Sequence, residues 1–224
     1  MVENTLVPTK LYLQAGSHIG TKYKSGSMKR FVFKVRPDRL RVIDVGLIDD
    51  RLRIATEFLS NFKPQEIIIA SRKEYAKKPI LLFAKLVGAK AVTGRFVPGT
   101  LTNPNAKKFL EGKVMFIIDP SLDKQAIVES SKIRIPVISL ASTDNILKKI
   151  DLVIPINNNG RQSIALALMV IARELMIKRK EIKDESEFKY TMKDFEYPLE
   201  EAQKEEKKAF KEESRSRGRG RKPF

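Results

Sequence analysis

No cysteine occurs anywhere in the 224-residue chain, which excludes disulfides, thiolate zinc sites and a cysteine nucleophile and fits a reducing, intracellular address. Histidine is almost as scarce: His18 stands alone, so a triad or a metal centre built on imidazoles lacks companions. Long apolar runs are missing too. The longest, Ile164 to Ala172, is about half of what a bilayer core requires. The opening residues MVENTLVPTK contain no cationic region followed by an apolar stretch and a small-residue cleavage site, so neither export nor membrane spanning is expected. No period of about 20 to 50 residues repeats, which disfavours a solenoid.

What the chain has in excess is positive charge, a formal net +17. A chain this basic encounters polyanions before other partners. The charge is unevenly placed. Residues 1–42 hold nine Lys/Arg against Glu3 and Asp38, whereas residues 178–224 hold fifteen against twelve acids. In the stretch KYKSGSMKRFVFKVRPDRLR, Lys22, Lys24, Lys29, Arg30, Lys34 and Arg36 alternate with Tyr23, Phe31 and Phe33. That interleaving suits backbone phosphates together with stacking surfaces.

From residue 41 onward short β-branched runs alternate with helical patterns. RLRVIDVG is a strand candidate ending at Gly46, and LIDDRLRIATEFLSNF repeats apolar residues at helical spacing. EIIIAS, AVTG, KVMFIIDP, IPVISLAS and KKIDLVIPI read as further strands. The helices between them include KEYAKKPILLFAKLVGAK, with Pro79 disturbing its early turns and Gly88 at its end, and one around Asp123 to Ser131. RQSIALALMVIARELMIKRK is apolar nearly all round at first, as expected of a helix packed hard on a sheet. Apolar strands separated by helices imply an α/β domain, a doubly wound parallel sheet with helices on both faces. The domain is expected over residues 1–180, including the basic segment 1–42. Residues 181–224 form a charged extension with few apolar anchors, expected to be disordered or ordered by a partner.

The segment AGSHIGTKYKSGSMKR poses the sharpest local question, because two glycines precede cations as in a phosphate loop. A Walker loop needs four residues between its glycines and a hydroxyl after the lysine. Here three intervene and Thr21 precedes Lys22, so nucleotide binding is not expected. KLYLQAG after Pro8 reads as a short helix capped by Gly16. His18 is expected to bond a backbone carbonyl or a phosphate. The first strand is not followed by G-x-G-x-x-G, so a dinucleotide enzyme is disfavoured. Asp44, Asp119 and Asp144 would bind a metal only if they converged; Asp119 followed by Pro120, and STDN before a helix, are more simply turn and N-cap chemistry. INNNG reads as a turn tolerating left-handed residues, and Ser163 lies near the start of the long helix. Arg95, Lys107 and Lys108 flank FVPGTLTNPN, a loop suited to phosphates. No catalytic residue, metal site or cofactor is expected.

LYLQAGSHIGTK, FVFKVRPDRLRVIDV, GRFVPGTLTNP, IPVISLASTDN and IPINNNGRQSIALALMVIAREL, in this order over about residues 9–178, resemble the signature blocks of the S2 family of small-ribosomal-subunit proteins. The chain is similar to the archaeal and eukaryotic branch: it has no insertion after VIDV long enough for the coiled coil of bacterial members, and IPINNNG stands in place of their block. The resemblance implies a flavodoxin-like fold with sheet order 2-1-3-4-5, no catalysis, and a place at the head-to-body junction of the small subunit. On that reading the phosphates belong to ribosomal RNA and the protein neighbours are other small-subunit proteins, with no membrane and no small-molecule substrate.

Two other classes remain open at this point. A soluble α/β enzyme acting on a phosphorylated metabolite would use Ser71, Arg72 and Arg95 as anion ligands, but leaves the basic arm and the arginine-rich end without a role. A free-standing RNA-binding regulator is the other. In the extension, Phe188, Tyr190, Phe195 and Tyr197 sit among acids and are expected to await a neighbouring protein, whereas Arg215, Arg217, Arg219 and Arg221 in SRSRGRGRKPF are expected to reach RNA.

Overall fold

The computed structural model describes residues 5–182 and 187–198. In chain order the elements are α1 (Thr9–Gln14), β1 (Val32–Val35), β2 (Arg41–Ile43), α2 (Val45–Ser60), β3 (Ile67–Ser71), α3 (Lys77–Val87) and β4 (Lys90–Thr93). There follow β5 (Val114–Ile117), α4 (Lys124–Lys132), β6 (Val137–Ala141), β7 (Leu152–Pro155), α5 (Arg161–Lys178) and α6 (Met192–Phe195). Continuous β-branched runs become strands buried on both sides: every residue of β3, β5 and β6 is buried. They pair in parallel as one five-stranded sheet ordered β4-β3-β5-β6-β7. Counted within this sheet, the second strand lies at the edge beside the first, and the third, fourth and fifth follow. The chain therefore reverses direction of travel between β3 and β5.

Alternation along the strands sorts the core into two faces. Ile67 and Ile69, Val114 and Phe116, and Ile138 and Leu140 point to α2, α3 and α5, where Leu52, Phe83, Leu168 and their neighbours complete the main core. Ile68, Ala70, Met115 and Ile117 point the other way, to Ala126 and Ile127 of α4 and to Phe96 and Leu101 of the loop after β4. At the β7 edge of that second face, Met28 and Phe31 cover Ala141 and Val153. One face is thus thatched by long helices, the other by one short helix and two loops.

Local chemistry fixes the ends of these elements. The Asp44 side chain accepts from the Gly46 amide at 2.9 Å and starts α2. Pro79 falls in the first turn of α3, where a missing N–H costs nothing. Gly88 ends that helix at φ +76°, and a Cβ there would stand 2.9 Å from Pro64. Buried Asp49 ties down the N-terminus: Tyr12 donates its hydroxyl to it at 2.9 Å and Leu6 its amide at 2.8 Å. Burial, with the Asp49 charge beside it, pushes the Tyr12 phenol far above its usual range.

Four expectations need correcting. The strand read from RLRVIDVG is outside the parallel sheet: Arg41–Ile43 pairs antiparallel with Val32–Val35, and the run ends at Ile43 because Asp44 begins a helix. The Asn157–Asn159 turn has no left-handed residue; the Asn157 side chain instead accepts from the Asn159 and Gly160 amides. No helix follows STDN, where Asn145 closes a turn onto the Ser142 amide. Lastly, the folded unit does not stop at residue 180. Phe195 is fully buried and Tyr197 is 4% exposed; Phe195 belongs to the main core with Phe188 packed against it. Lys78 donates to the Glu196 carbonyl at 3.0 Å and Arg161 to that of Tyr197 at 3.1 Å. The charges around these aromatics hid their packing: Asp194 closes a capping box with Thr191, and Glu196 stands 4.0 Å from Arg161.

Replacing Phe195 by Ala is expected to lower the unfolding free energy by about 3 kcal/mol, as for a large ring removed from a packed core. Tyr190→Ala, at a half-exposed ring, is expected to stay within about 1 kcal/mol. Urea denaturation of the full chain measures both.

Candidate nucleic-acid interface

An open parallel sheet places ligands at the carboxyl ends of its strands, where the order reverses. Here that crevice lies between β3 and β5, and the chain's own side chains fill it. Lys73, just after β3, reaches Asp119 after β5 at 2.7 Å, the Asn158 carbonyl at 2.7 Å and the Asn159 side chain at 2.7 Å. Asp119 accepts from the Ser121 amide and from Asn145, whose side-chain oxygen accepts in turn from Asn158. Asp123 accepts from the Arg72 amide at 2.9 Å. Its other oxygen is buried without a partner. Burial pushes the Asp123 carboxyl up to about 7, with the neighbouring Asp119 adding to the rise and the Arg72 amide opposing it.

This network leaves no room for the enzyme reading. Ser71 is buried and accepts from the Lys73 amide. Arg72 and Arg95 are exposed, and none of four surface clefts of 310 to 710 Å³ is lined by Ser71, Arg72 or Arg95. The three aspartates do not converge: Asp44 caps α2, Asp119 pairs with Lys73, and Asp144 is exposed. Among the described residues no cluster of three or more His, Cys, Asp or Glu is arranged to hold a metal.

The glycine-bearing segment is committed in the same way. Gly16 turns the chain after α1 at φ +65°. Gly20 approaches so closely that a Cβ would meet Thr143 at 2.5 Å and the Arg41 carbonyl at 2.9 Å. Its amide donates to Arg41 at 2.7 Å, the Thr21 amide to the Thr143 hydroxyl at 2.9 Å, and the Ser25 amide to the Thr143 carbonyl at 2.8 Å. The amides of a phosphate cradle are therefore occupied within the fold, and anions must be met by side chains. His18 gives its carbonyl to the Ile43 amide. Its buried Nδ1 makes no carbonyl bond among the described residues.

Those side chains are available. Lys22, Lys24, Lys29, Arg30, Lys34 and Arg36 are all exposed, as are Arg95, Lys107 and Lys108. Of these nine only Arg36 makes an ion pair among the described residues, with Asp38 at 3.6 Å across a solvent-exposed turn, a pairing of little energetic weight. Tyr23 and Phe33 stand among them 79% and 68% exposed. The loop bearing Arg95, Lys107 and Lys108 is held by a residue the sequence reading missed: buried Glu129 of α4 accepts the Gly99 and Leu101 amides at 2.8 and 3.1 Å. This loop and the Met28–Phe31 segment flank the same, thinly covered face of the sheet, one at each edge. The apolar anchors of two basic stretches about 70 residues apart thus lie on one face of the sheet, at opposite edges. Arg215, Arg217, Arg219 and Arg221 lie outside the described residues. Of the four aromatics expected to meet a partner, only Tyr190 is exposed.

The family model described as Ribosomal protein S2 matches residues 12–110 and 108–177. The chain is 48% identical over 188 residues to a small ribosomal subunit protein uS2 of Methanococcus maripaludis strain C5, covering 84% of this chain and 86% of that protein. It is 45% identical over 186 residues to a small ribosomal subunit protein uS2 of Ignicoccus hospitalis, covering 83% and 88% respectively.

Lys73→Met is expected to cost about 3 kcal/mol by leaving Asp119 charged and buried, with Asp119→Asn added to it recovering part of the loss; urea unfolding at neutral pH reads both. Asp123 supplies a pH test. From the ordinary carboxylate range near pH 4 up to pH 7, the unfolded chain releases this proton while the folded one retains it, so stability falls as pH rises through that window. Asp123→Asn is therefore expected to match the wild type near pH 4 and to become progressively more stable than it up to about pH 7. A difference independent of pH would show an ordinary carboxyl.

Proposed function

The chain belongs to the ribosomal protein S2 family and is a structural, non-enzymatic component of the small ribosomal subunit, and from that premise we propose that it binds ribosomal RNA through the basic face described above. The observation that carries the reading is the set of nine exposed cations, eight of them in no ion pair among the described residues, together with exposed Tyr23 and Phe33. Side chains of this kind grip phosphates by charge and leave sequence unread, so the contact is shape-directed and electrostatic. The protein works in the cytoplasm, within the ribosome.

The finer assignment is a position at the head-to-body junction, where the protein contacts neighbouring small-subunit proteins and supports assembly. What supports it is the run of motif blocks in family order and the absence of a long insertion after VIDV. Tyr190, on the outer side of the 187–198 segment, is a candidate contact to a protein neighbour. The terminal arginines Arg215 to Arg221 are candidate RNA contacts on sequence grounds.

Co-sedimentation of the full chain with small subunits across a salt gradient tests the reading. Affinity is expected to drop by orders of magnitude between about 50 and 200 mM salt if roughly six or more phosphates are neutralised. A nearly flat dependence, or no co-sedimentation at low salt, overturns it.

A further inference from the structure

On the thinly covered face, at the β7 edge, a cleft of about 710 Å³ has Leu147, Ile150 and Val153 for a floor and Lys29, Arg30 and Arg51 around it. The floor joins the small cluster around Phe31, a ring only 2% exposed. Both arginines lie on that ring, the Arg30 guanidinium 4.8 Å and the Arg51 guanidinium 5.6 Å from its centre. Stacking on one fixed platform restricts their rotamers before any ligand arrives. Yet the side chains of Lys29, Arg30 and Arg51 have no ion pair or hydrogen bond among the described residues. The acid at the rim, Asp151, is engaged, its Oδ2 accepting the Val137 amide at 2.8 Å.

A smaller hollow of about 310 Å³ shares Asp151 and is lined by Arg134 and Lys149. Both hold left-handed backbone, at φ 61° and 65°. A residue with a Cβ disfavours that conformation. Each side chain is again without a partner among the described residues.

We propose that the larger cleft receives one unpaired nucleotide of RNA, its base against Leu147 and Ile150 and its phosphates on Lys29, Arg30 and Arg51, with the strand continuing past Arg134 and Lys149. This rests on the RNA reading above and narrows it: at this edge the ligand is single-stranded. An A-form helix keeps its bases stacked inside and offers nothing to an apolar floor, whereas a splayed base brings a flat apolar face directly followed by charge. An acidic peptide would satisfy the cations but not the floor. The volume lies in the range of small-molecule sites.

Binding of the full chain to three probes at low salt decides the matter: a seven-nucleotide adenine RNA, the same oligomer with abasic positions, and an oligoglutamate peptide. The adenine oligomer is expected to bind at least about fivefold more tightly than the abasic one. Leu147→Asn, at a half-buried position of the floor, is expected to remove that preference, whereas Arg51→Ala, a change to a strong helix former on α2, weakens both oligomers alike and Lys85→Ala, on α3, changes neither. Equal binding of adenine and abasic oligomers overturns the proposal, as does a preference that survives Leu147→Asn, or displacement by oligoglutamate as effective as by the adenine oligomer. Should Leu147→Asn lower the melting temperature, Ile150→Thr provides the same comparison from the other floor residue. If intact small-subunit RNA also fails to bind, the RNA reading itself is lost, a result distinct from loss of the base preference alone.

Discussion

The ammonium of Lys73 is the tie on which the upper end of the sheet depends. It is nearly buried, and it joins the loop after β3 to those after β5 and β7 through one carboxylate and two asparagine oxygens. Buried ion pairs contribute little net stability compared with apolar packing, but a buried charge without its partner is strongly destabilising. The network therefore acts by exclusion: any arrangement of these loops that separates Lys73 from Asp119 is costly. The place where related architectures open a ligand crevice is closed as a consequence.

The two faces of the sheet are finished differently. The side covered by α2, α3 and α5 completes a large apolar core beneath helices that carry exposed lysines of their own, Lys77 and Lys85 among them. The opposite side is finished by α4 and two loops, and loops anchored at a few buried points, Phe31 and Met28 in one case and Phe96 and Leu101 in the other, can project many cations without unfolding. Repulsion among those cations is a standing strain on the free protein. Glu129 and Asp49 show how it is contained: buried carboxylates organise the loop after β4 and the N-terminal residues from inside, while the surface stays positive.

Much of this was legible in the sequence. Continuous runs such as Ile67–Ile69 and Val114–Ile117 can only be strands buried on both faces, and the alternation with helices fixes a parallel sheet. Gly88 announces a helix end by chemistry alone. What escaped were features decided by distant partners. Arg41–Ile43 has the pattern of any strand, and only Val32–Val35 alongside it shows that it belongs to a hairpin. Phe195 and Tyr197 sit among charges in sequence, but the helix faces that receive them, and the Lys78 and Arg161 side chains that donate to the Glu196 and Tyr197 carbonyls, come from α3 and α5. The cations of the basic face were identifiable by type. The grouping of Lys29 and Arg30 with Arg51 around one cleft was not, because it follows from how distant elements pack, and Arg51, Arg134 and Lys149 were indistinguishable from ordinary surface charges.

The contact between Gly20, Thr21 and Thr143 spans 122 positions of the chain. Synthesis at about 5 to 20 residues per second separates the emergence of those two ends by roughly 6 to 25 seconds. For that interval the most cationic part of the protein has no strand end to dock on, and the loop in which Gly20 must nestle does not yet exist. The nascent chain thus presents a long-lived, unanchored polycation to an environment rich in RNA, and the arrival of Thr143 is the event that converts it from an indiscriminate binder into a surface of fixed shape.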